Sequence, residues 1–417
     1  MYATRLSDGI HRTSIMLTAF AALVVSPIVA FAATTAASLP DAVSGAVAPF
    51  APDQDGGIGE TAFRAPGYRG YRGGMAVIRR GELEASLYGQ LQTRGTFFTG
   101  DDNLALRGDL AERPGFAVPR ARFGVAGQLA DHVLFAIGTD ITQAGGARVN
   151  DAWLTYTRFR YLHMSFGARK LPFSRSAMTS SSDQALAERS RASAWIAPYR
   201  QVGVTMAGRY EDIGLDWDLG LYNGFTRHGT FYEGYRENDG LSGNRLNGLS
   251  TAGRVAWAPI GAMGEATADM EHKPLRVAVG LSGILNDGGT VRSKHMGVDA
   301  ILKVRGLHLL VEALSEQAEP VDEPTEAATI PASTERRALV VEAGYVVDRL
   351  SFAARVELLD PNVDVDDHDD EMIVSVALGY HFIRNLLRVQ LQMDHREERY
   401  GPAIDNDTAF AQIQLRL

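Results

Sequence analysis

The amino-acid sequence predicts an all-β protein, a transmembrane antiparallel β-barrel of about sixteen strands with one long loop folded into its interior. Three features lead to this prediction. Apolar and polar residues alternate with period two in segment after segment from residue 81 onward. Long and short connections alternate between these segments. The chain ends on an alternating segment, residues 409–417, which would pair with the first strand and remove the open edge of the sheet.

The N-terminus has the features of a secretory signal peptide. Residues 1–32 contain a basic start, an apolar run at 15–30 and small residues before a cleavage site. An uncleaved membrane anchor is the alternative. Residues 33–80 are rich in Ala, Pro and Gly and lack periodicity, which predicts a flexible periplasmic segment. The barrel is therefore expected to comprise residues 81–417, in the outer membrane of a bacterial cell.

The composition of the chain is compatible with a membrane barrel. It has 417 residues, a formal net charge of −9 and no cysteine. Beyond the N-terminal segment, no stretch reaches the ~20 apolar residues that a membrane helix requires. A barrel strand presents only every second residue to lipid, so its average hydropathy stays near zero. A chain without cysteine suits export through an oxidising periplasm. We expect no cofactor, no metal ion and no nucleic-acid partner.

The predicted strands have two faces of opposite character. In the first strand, Leu83 and Leu91 share a face that is opposite to that of Arg94. Long connections alternate with short turns, as in up-and-down membrane barrels with long outer loops. The connection 260–273 falls where a short periplasmic turn is expected, yet it is long. The further strands are predicted to begin near residues 120, 133, 152, 162, 202, 213, 249, 275, 295, 307, 338, 350, 371, 386 and 406.

A long loop, residues 171–199, carries basic residues interleaved with hydroxyl side chains. A connection of about 30 residues in a compact fold is usually functional or disordered. Basic groups and hydroxyls would replace the hydration shell of an oxyanion with charge-assisted hydrogen bonds. The alternatives are an exposed loop of mixed charge and a pore lining whose charges are mostly paired. The candidate pore and anion-binding residues are Arg120, Arg122, Arg158, Arg169, Lys170, Arg175, Ser180, Ser181, Ser182, Arg189, Arg191, Arg200 and Arg209.

Several short motifs occur in a fixed order along the first half of the barrel. They are Arg120–Gly124 (RARFG), Asn150–Leu154 (NDAWL), Gly167–Phe173 (GARKLPF), Glu188-Arg189, Arg200–Val204 (RQVGV) and Leu221–Gly224 (LYNG). This ordered set resembles the phosphate-selective porin family of the O/P type. The resemblance implies a sixteen-stranded, trimeric outer-membrane channel whose loop between strands five and six, here 171–199, folds inward. It also implies that arginines, a lysine and serines line the constriction.

These observations favour passive diffusion of small anions, such as phosphate or other oxyanions, through a basic constriction. The alternative is a general channel for other solutes, such as sugars or organic acids. A barrel enzyme is disfavoured: His163 and Ser165 share a face, but no nucleophile elbow is present. An adhesive barrel is a further alternative. The expected partners are small anions, outer-membrane lipid, lipopolysaccharide and two further copies of the chain.

The acidic loop 360–371 resembles a calcium-binding loop in the spacing of its oxygen-bearing residues. However, Val365 stands where the sharp turn of such a loop needs glycine, and predicted strands flank the loop instead of helices. We therefore expect a solvated acidic loop, or one that divalent cations bridge to lipopolysaccharide.

Overall fold

The computed structural model describes residues 77–98, 114–142, 147–227, 235–236, 248–288, 291–321, 333–366, 370–400 and 407–417. The predicted signal peptide 1–32 and residues 33–76 of the predicted flexible segment lie outside these ranges, so both assignments stay predictions. The described chain begins with a short strand, Val77–Arg80, which pairs antiparallel with Leu83–Ser86. None of the helices in the described ranges combines the length and apolar character needed to cross a membrane.

Within the described residues, seventeen strands form one sheet, and all except Val77–Arg80 form a closed antiparallel barrel of sixteen strands. In chain order these are β1 Leu83–Phe98, β2 Gly115–Leu129, β3 Val133–Asp140, β4 Arg148–Phe159, β5 Leu162–Lys170, β6 Arg200–Tyr210, β7 Leu215–Asn223, β8 Leu249–Ile260, β9 Arg276–Asp287, β10 Val291–Val304, β11 Leu307–Pro320, β12 Thr334–Val347, β13 Leu350–Asp360, β14 Glu371–Ile383, β15 Leu387–Glu398 and β16 Thr408–Arg416.

The barrel closes where β16 pairs with β1, from Thr408 opposite Phe98 to Arg416 opposite Gln90. The Leu417 N–H then donates to the Gly89 carbonyl at 2.9 Å. Closure leaves no open sheet edge. An open edge in lipid would carry backbone N–H and C=O groups without hydrogen-bond partners, because no water is present there. The predicted fold class, strand number and closure by the C-terminal strand are confirmed.

Two short strands, Thr226–Arg227 and Tyr235–Arg236, form a separate pair. Two helices, α1 Arg175–Met178 and α2 Arg191–Ile196, lie in the loop between β5 and β6. A 3-10 turn, Glu211–Ile213, connects β6 to β7.

Period-two alternation places one face of each strand toward lipid and the other toward the interior, as β10 illustrates. Its inward-facing His295, Asp299 and Lys303 are buried, whereas the outward-facing Met296 and Val298 are 61% and 53% exposed. Aromatic residues are exposed near the short turns, at the end of the barrel that is periplasmic in outer-membrane proteins. They include Tyr156, Trp257, Tyr345, Phe352 and Phe382.

The loop 171–199 folds into the interior of the barrel, as predicted. Its two helices are preceded by the N-cap residues Ser174 and Ser190, whose side chains accept hydrogen bonds from the Ala177 and Ser193 N–H groups. Burying a large apolar side chain contributes about 1.5–3 kcal/mol, so the apolar contacts of this loop fix its position. One cluster joins the loop residues Leu171, Phe173, Ala177, Ala192, Trp195, Ile196 and Ala197 to the wall residues Tyr222, Phe225, Ala252, Ile284, Leu314, Ala338, Val340, Leu359 and Ile373.

The connection between β8 and β9, residues 261–275, is long because it also turns into the interior. Gly261 and Gly264 both have φ of +68°, a conformation that glycine adopts without strain and that bends the chain inward. Met263 and residues 267–269 are buried. The connection is long, as its sequence indicated, and departs from the short turn that the rhythm of the barrel would place here. We name this segment the inward turn.

Candidate functional site

Adjacent strands β1 and β2 point arginines at the loop. Arg94 and Arg120 both bind the Glu188 carboxylate of the loop, Arg120 with Nη2 to Oε2 at 2.8 Å. Glu188 is 27% exposed at its side chain. Burial raises the pKa of Glu188, but the Arg120 and Arg94 guanidinium groups outweigh that effect and hold it well below its usual range. The group of three therefore keeps a net positive charge.

Arg122, next to this group on β2, is hydrogen-bonded through two of its three side-chain nitrogens. Its Nε donates to Asp140 Oδ2 at 2.7 Å and its Nη1 to Ser181 Oγ at 3.2 Å. Among the described residues, no partner binds its Nη2. Ser181 also accepts from the Gln90 side chain at 3.0 Å, so the serine hydroxyl is fixed against the wall. Arg122 can therefore offer N–H donors to a passing anion.

Tyr199, at the end of the loop, is surrounded by cations. Arg200, Lys170 and Arg189 lie over its ring, 4.5, 4.9 and 4.9 Å from the ring centroid. Burial raises the pKa of Tyr199, but Arg189 and the other neighbouring cations lower it further, so it lies well below its usual value of 10. Arg200 also pairs with Asp151 at 3.1 Å. The local potential at Tyr199 is therefore strongly positive.

Lys170 and Arg189, both predicted as anion ligands, donate to loop carbonyls, Lys170 with all three of its donors and Arg189 with two of its five. Lys170 Nζ donates to Ala177, Met178 and Thr179 at 2.9–3.0 Å, where it caps α1. Arg189 donates to the Ser176 and Thr179 carbonyls, each at 2.7 Å. Because an ammonium group has three donors, Lys170 can act on an anion only as a charge.

The other predicted loop residues lie on different sides of the loop. Ser180 and Ser182 are hydrogen-bonded to each other at 2.9 Å. Arg175 is partly exposed, and its backbone N–H donates to Glu312 Oε1 at 2.6 Å. Arg191 lies on the far side of the loop, 3.4 Å from Glu371.

Three predicted strand residues lie away from the loop contacts that define the candidate site. Arg158 is exposed beside the turn that follows β4. Arg209 pairs with Asp218 at 3.0 Å. Arg169 is buried in the wall. The structure thus brings together Arg120, Arg122, Lys170, Ser180, Ser181, Ser182, Arg189 and Arg200, and it adds Arg94, Glu188 and Tyr199. Arg175 lies elsewhere, on a small cavity that Arg254, Gly264 and Glu265 also line.

Each of the added residues had a sequence signal: Arg94 is on the polar face of the first strand, Glu188 is in one of the ordered motifs, and Tyr199 directly precedes Arg200. The pairing of Glu188 with Arg94 joins residues 94 positions apart in the chain. No local pattern reports such a contact.

Carboxylates on the opposite wall are covered by the loop. Glu312 accepts from the Arg175 and Ser176 N–H groups, and Glu357 Oε2 accepts from Ala192 N at 3.0 Å. Asp299 is buried against Arg254. The face of the loop toward β1 and β2 is therefore the basic one, and the acidic groups lie behind it.

Within the described ranges, no group of three or more His, Cys, Asp or Glu side chains is placed to hold a metal ion. Residues 367–369 of the acidic loop lie outside those ranges, so the expectation for that loop stays a prediction.

A family model described as "Phosphate-selective porin O and P" matches residues 92–300, which is half of the chain. No curated protein sequence is a significant match. Among solved structures, the chain is similar to an anion-selective porin from Comamonas acidovorans, with 14% identity, a TM-score of 0.54, and 81% of this chain and 100% of that chain covered.

The chain is also similar to OmpF of Salmonella typhi in complex with daunomycin, with 12% identity, a TM-score of 0.54 and coverage of 82% and 100%. A trimer form of in-vitro folded OmpT, an outer membrane protein of Vibrio cholerae, has 14% identity, a TM-score of 0.50 and coverage of 80% and 99%. At these identities the structural similarity establishes the fold alone.

Proposed function

This chain belongs to the phosphate-selective porin O and P family, and we propose that its outer-membrane channel passes small anions, with phosphate or other oxyanions preferred. It is a porin of the bacterial outer membrane, and its family and fold indicate a channel instead of an enzyme. The observation that carries the proposed selectivity is the asymmetry of the constriction. Arg120, Arg122 and Arg189 are partly exposed around the loop, while Asp140 and Asp151 beside them are buried in ion pairs. Glu188 is the one partly exposed carboxylate among the described residues of this group, so the cations outnumber it.

The proposed mechanism is partial replacement of hydration. An anion that reaches Arg122 exchanges water for the open Nη2 donor, the charge of Lys170 attracts it without donating, and the charge of Arg189 adds to that attraction. Because Glu188 offsets part of the positive charge of Arg94 and Arg120, the anion is held weakly enough to leave. No reaction takes place.

The test is the zero-current potential of the purified protein in a planar bilayer under a KCl gradient, followed by titration with phosphate. We expect anion selectivity and a chloride current that phosphate reduces. Arg122→Gln should lower both, because it removes the open donor and one charge. Arg158→Gln, the same change at an exposed arginine away from the loop, is the matched control. A cation-selective wild type, or equal effects of the two variants, would refute the proposal.

The runner-up function is a general channel for other small solutes. It is favoured by the number of cations that are already paired, such as Arg200 with Asp151 and Arg416 with Asp183. A conductance without ion preference that phosphate leaves unchanged would support this alternative.

We also propose that the channel is a homotrimer surrounded by lipopolysaccharide and outer-membrane lipid. The structurally similar OmpT of Vibrio cholerae has a trimer form. On the outward face of β1 and β2, Phe116 is 92% exposed and lies beside the exposed Phe97 and Val118. The mass of the detergent-solubilised protein tests this, and Phe116→Asp should shift it toward the monomer. A monomeric wild type would contradict the proposal.

A further inference from the structure

The inward turn is anchored inside the barrel by two basic residues on the neighbouring strands. Lys303 Nζ on β10 donates to the carbonyls of Ala266 and, at 3.3 Å, Met263. Arg276 at the start of β9 pairs with Asp269 and, at 2.6 Å, with Glu271. Buried groups of this kind are costly to leave without partners, so these bonds fix the turn in its folded-in conformation.

The same aspartate ties the turn to the next hairpin. Asp269 Oδ2 accepts from the Gly306 N–H at 2.8 Å, in the short turn between β10 and β11. The inward turn is therefore bonded to β9, to β10 and to the short turn between β10 and β11.

The inward turn also meets the loop 171–199 inside the barrel. Thr267 N–H donates to the Asp183 carbonyl at 2.9 Å. Ala268 packs in one buried cluster with Ala185 and Leu186 of the loop. Asp183 in turn pairs with Arg416 on β16 at 2.9 Å. The inward turn enters from the end of the barrel with the short turns, and the loop 171–199 enters from the end with the long loops. The two segments thus come into direct contact.

Together the two segments cover the wall from β8 to β14, whose inward charges are mixed. Asp299 pairs with Arg254 at 2.6 Å, and Arg355 pairs with Glu357 at 2.8 Å. Glu312 lies beside Asp299 in the strand register. A water path along this wall would have little preference between anions and cations, because charges of both signs would face it.

We propose that the inward turn is a plug that closes this mixed-charge side of the lumen. Solutes are thereby confined to the side of the constriction that carries Arg120, Arg122 and Tyr199. The turn is then a selectivity element, although it contributes no ligand to the anion. The effect of the plug on ion selectivity rests on the proposed anion preference. Its effect on the size of the conductance does not.

The experiment replaces residues 263–270 of the full-length protein with Gly-Ser-Gly and records single channels in KCl. We expect conductance to rise at least about twofold, because a second route of similar width would conduct in parallel with the first. The zero-current potential should move toward zero. Unchanged or reduced conductance would overturn the plug, and increased conductance with full anion preference would overturn its role in selectivity.

A second comparison separates this proposal from the proposed function. If current bypasses the basic side in the shortened variant, Arg122→Gln should change its zero-current potential less than it changes that of the full-length protein. A wild type without anion preference would refute the proposed function, and the conductance comparison would still decide on the plug.

Lys303→Met leaves the chain length intact and removes one of the two basic anchors. This variant should show brief openings to the larger conductance level of the shortened protein. Recordings identical to those of wild type would contradict the role of Lys303, whether or not the shortened variant folds.

Discussion

Glu188→Gln isolates the one partly exposed carboxylate that lies between two arginines of the constriction. Glutamine keeps the size and the acceptor oxygen of the side chain, so Arg94 and Arg120 retain a partner while one negative charge is lost. The 27% exposure of Glu188 places that charge in contact with pore water. Removing it should make the channel more anion-selective, the opposite of Arg122→Gln.

The size of the effect follows from Coulomb's law. A unit charge about 5 Å from an ion in water is worth about 0.8 kcal/mol. Salt at about 0.1 M screens this to about 0.5 kcal/mol. Anion attraction and cation repulsion change together, so the permeability ratio should change by about 1 kcal/mol, which is about fivefold.

The assay is the zero-current potential of wild type and Glu188→Gln under the same KCl gradient. Asp212→Asn is the matched control, because its carboxylate is 80% exposed in the turn that follows β6. The control should match wild type. A Glu188→Gln channel that is equally or less anion-selective than wild type would refute the assignment of Glu188 to the ion path.

Acid pH gives a second check on the same residue. The pKa of Glu188 lies well below its ordinary value of 4.5, because Arg120 and Arg94 stabilise the charged form more than burial destabilises it. Its contribution to stability is therefore present above pH 4.5 and is lost only as the pH falls through the lower folded-state pKa. The difference between wild type and Glu188→Gln should persist at about pH 4. Loss of that difference near pH 4.5 would mean that Glu188 titrates normally.

Two further substitutions test the loop. Trp195→Ala removes a buried anchor and should reduce the free energy of unfolding by about 3–5 kcal/mol, which lowers the unfolding temperature in detergent. The control Phe382→Ala, on the outward face, should reduce it less. Equal losses of stability would contradict the packing argument. Tyr199→Phe keeps the ring beneath Lys170, Arg189 and Arg200 and should retain the phosphate block, while Tyr199→Leu should weaken it. Identical phosphate titrations of these two variants would exclude a role for the ring.

The barrel and its inward loop could be predicted because their signals are local and repeated. Alternation in each strand fixes which side chains face lipid, and a final strand at 408–416 has the first strand as its neighbour once the sheet closes. The motifs around Lys170 and Arg200 mark the two ends of the loop. These features depend on spacing and residue type alone.

The contacts inside the barrel could not be predicted in the same way. The inward turn has no periodicity, and its fold depends on Lys303 and Arg276, which lie on strands that alternate like any others. The donors of Lys170 point at carbonyls whose direction is set by the path of α1. Residue type identified the basic loop, but three-dimensional contacts decide which cations are open to a solute.

Lys170 illustrates the difference between a ligand and a charge. Its three donors already bind the Ala177, Met178 and Thr179 carbonyls, so Lys170→Ala would remove both the positive charge and the cap on α1. Loss of phosphate block in that variant would therefore not identify an anion ligand. Lys170→Arg is the informative change, because it retains the charge and several donors on a different geometry.

If Lys170 acts only through its charge, Lys170→Arg should keep the phosphate affinity within about twofold, since an unchanged charge at a similar distance gives a similar Coulomb energy. Lys170→Met should weaken it, but less than Arg122→Gln, which removes a donor as well as a charge. Lys170→Met should also increase current noise, because α1 loses its cap. The measurement is the phosphate concentration that halves the chloride current. A Lys170→Arg channel as defective as Lys170→Met would show that the ammonium group binds phosphate directly, and the loop would then have to rearrange when the anion enters.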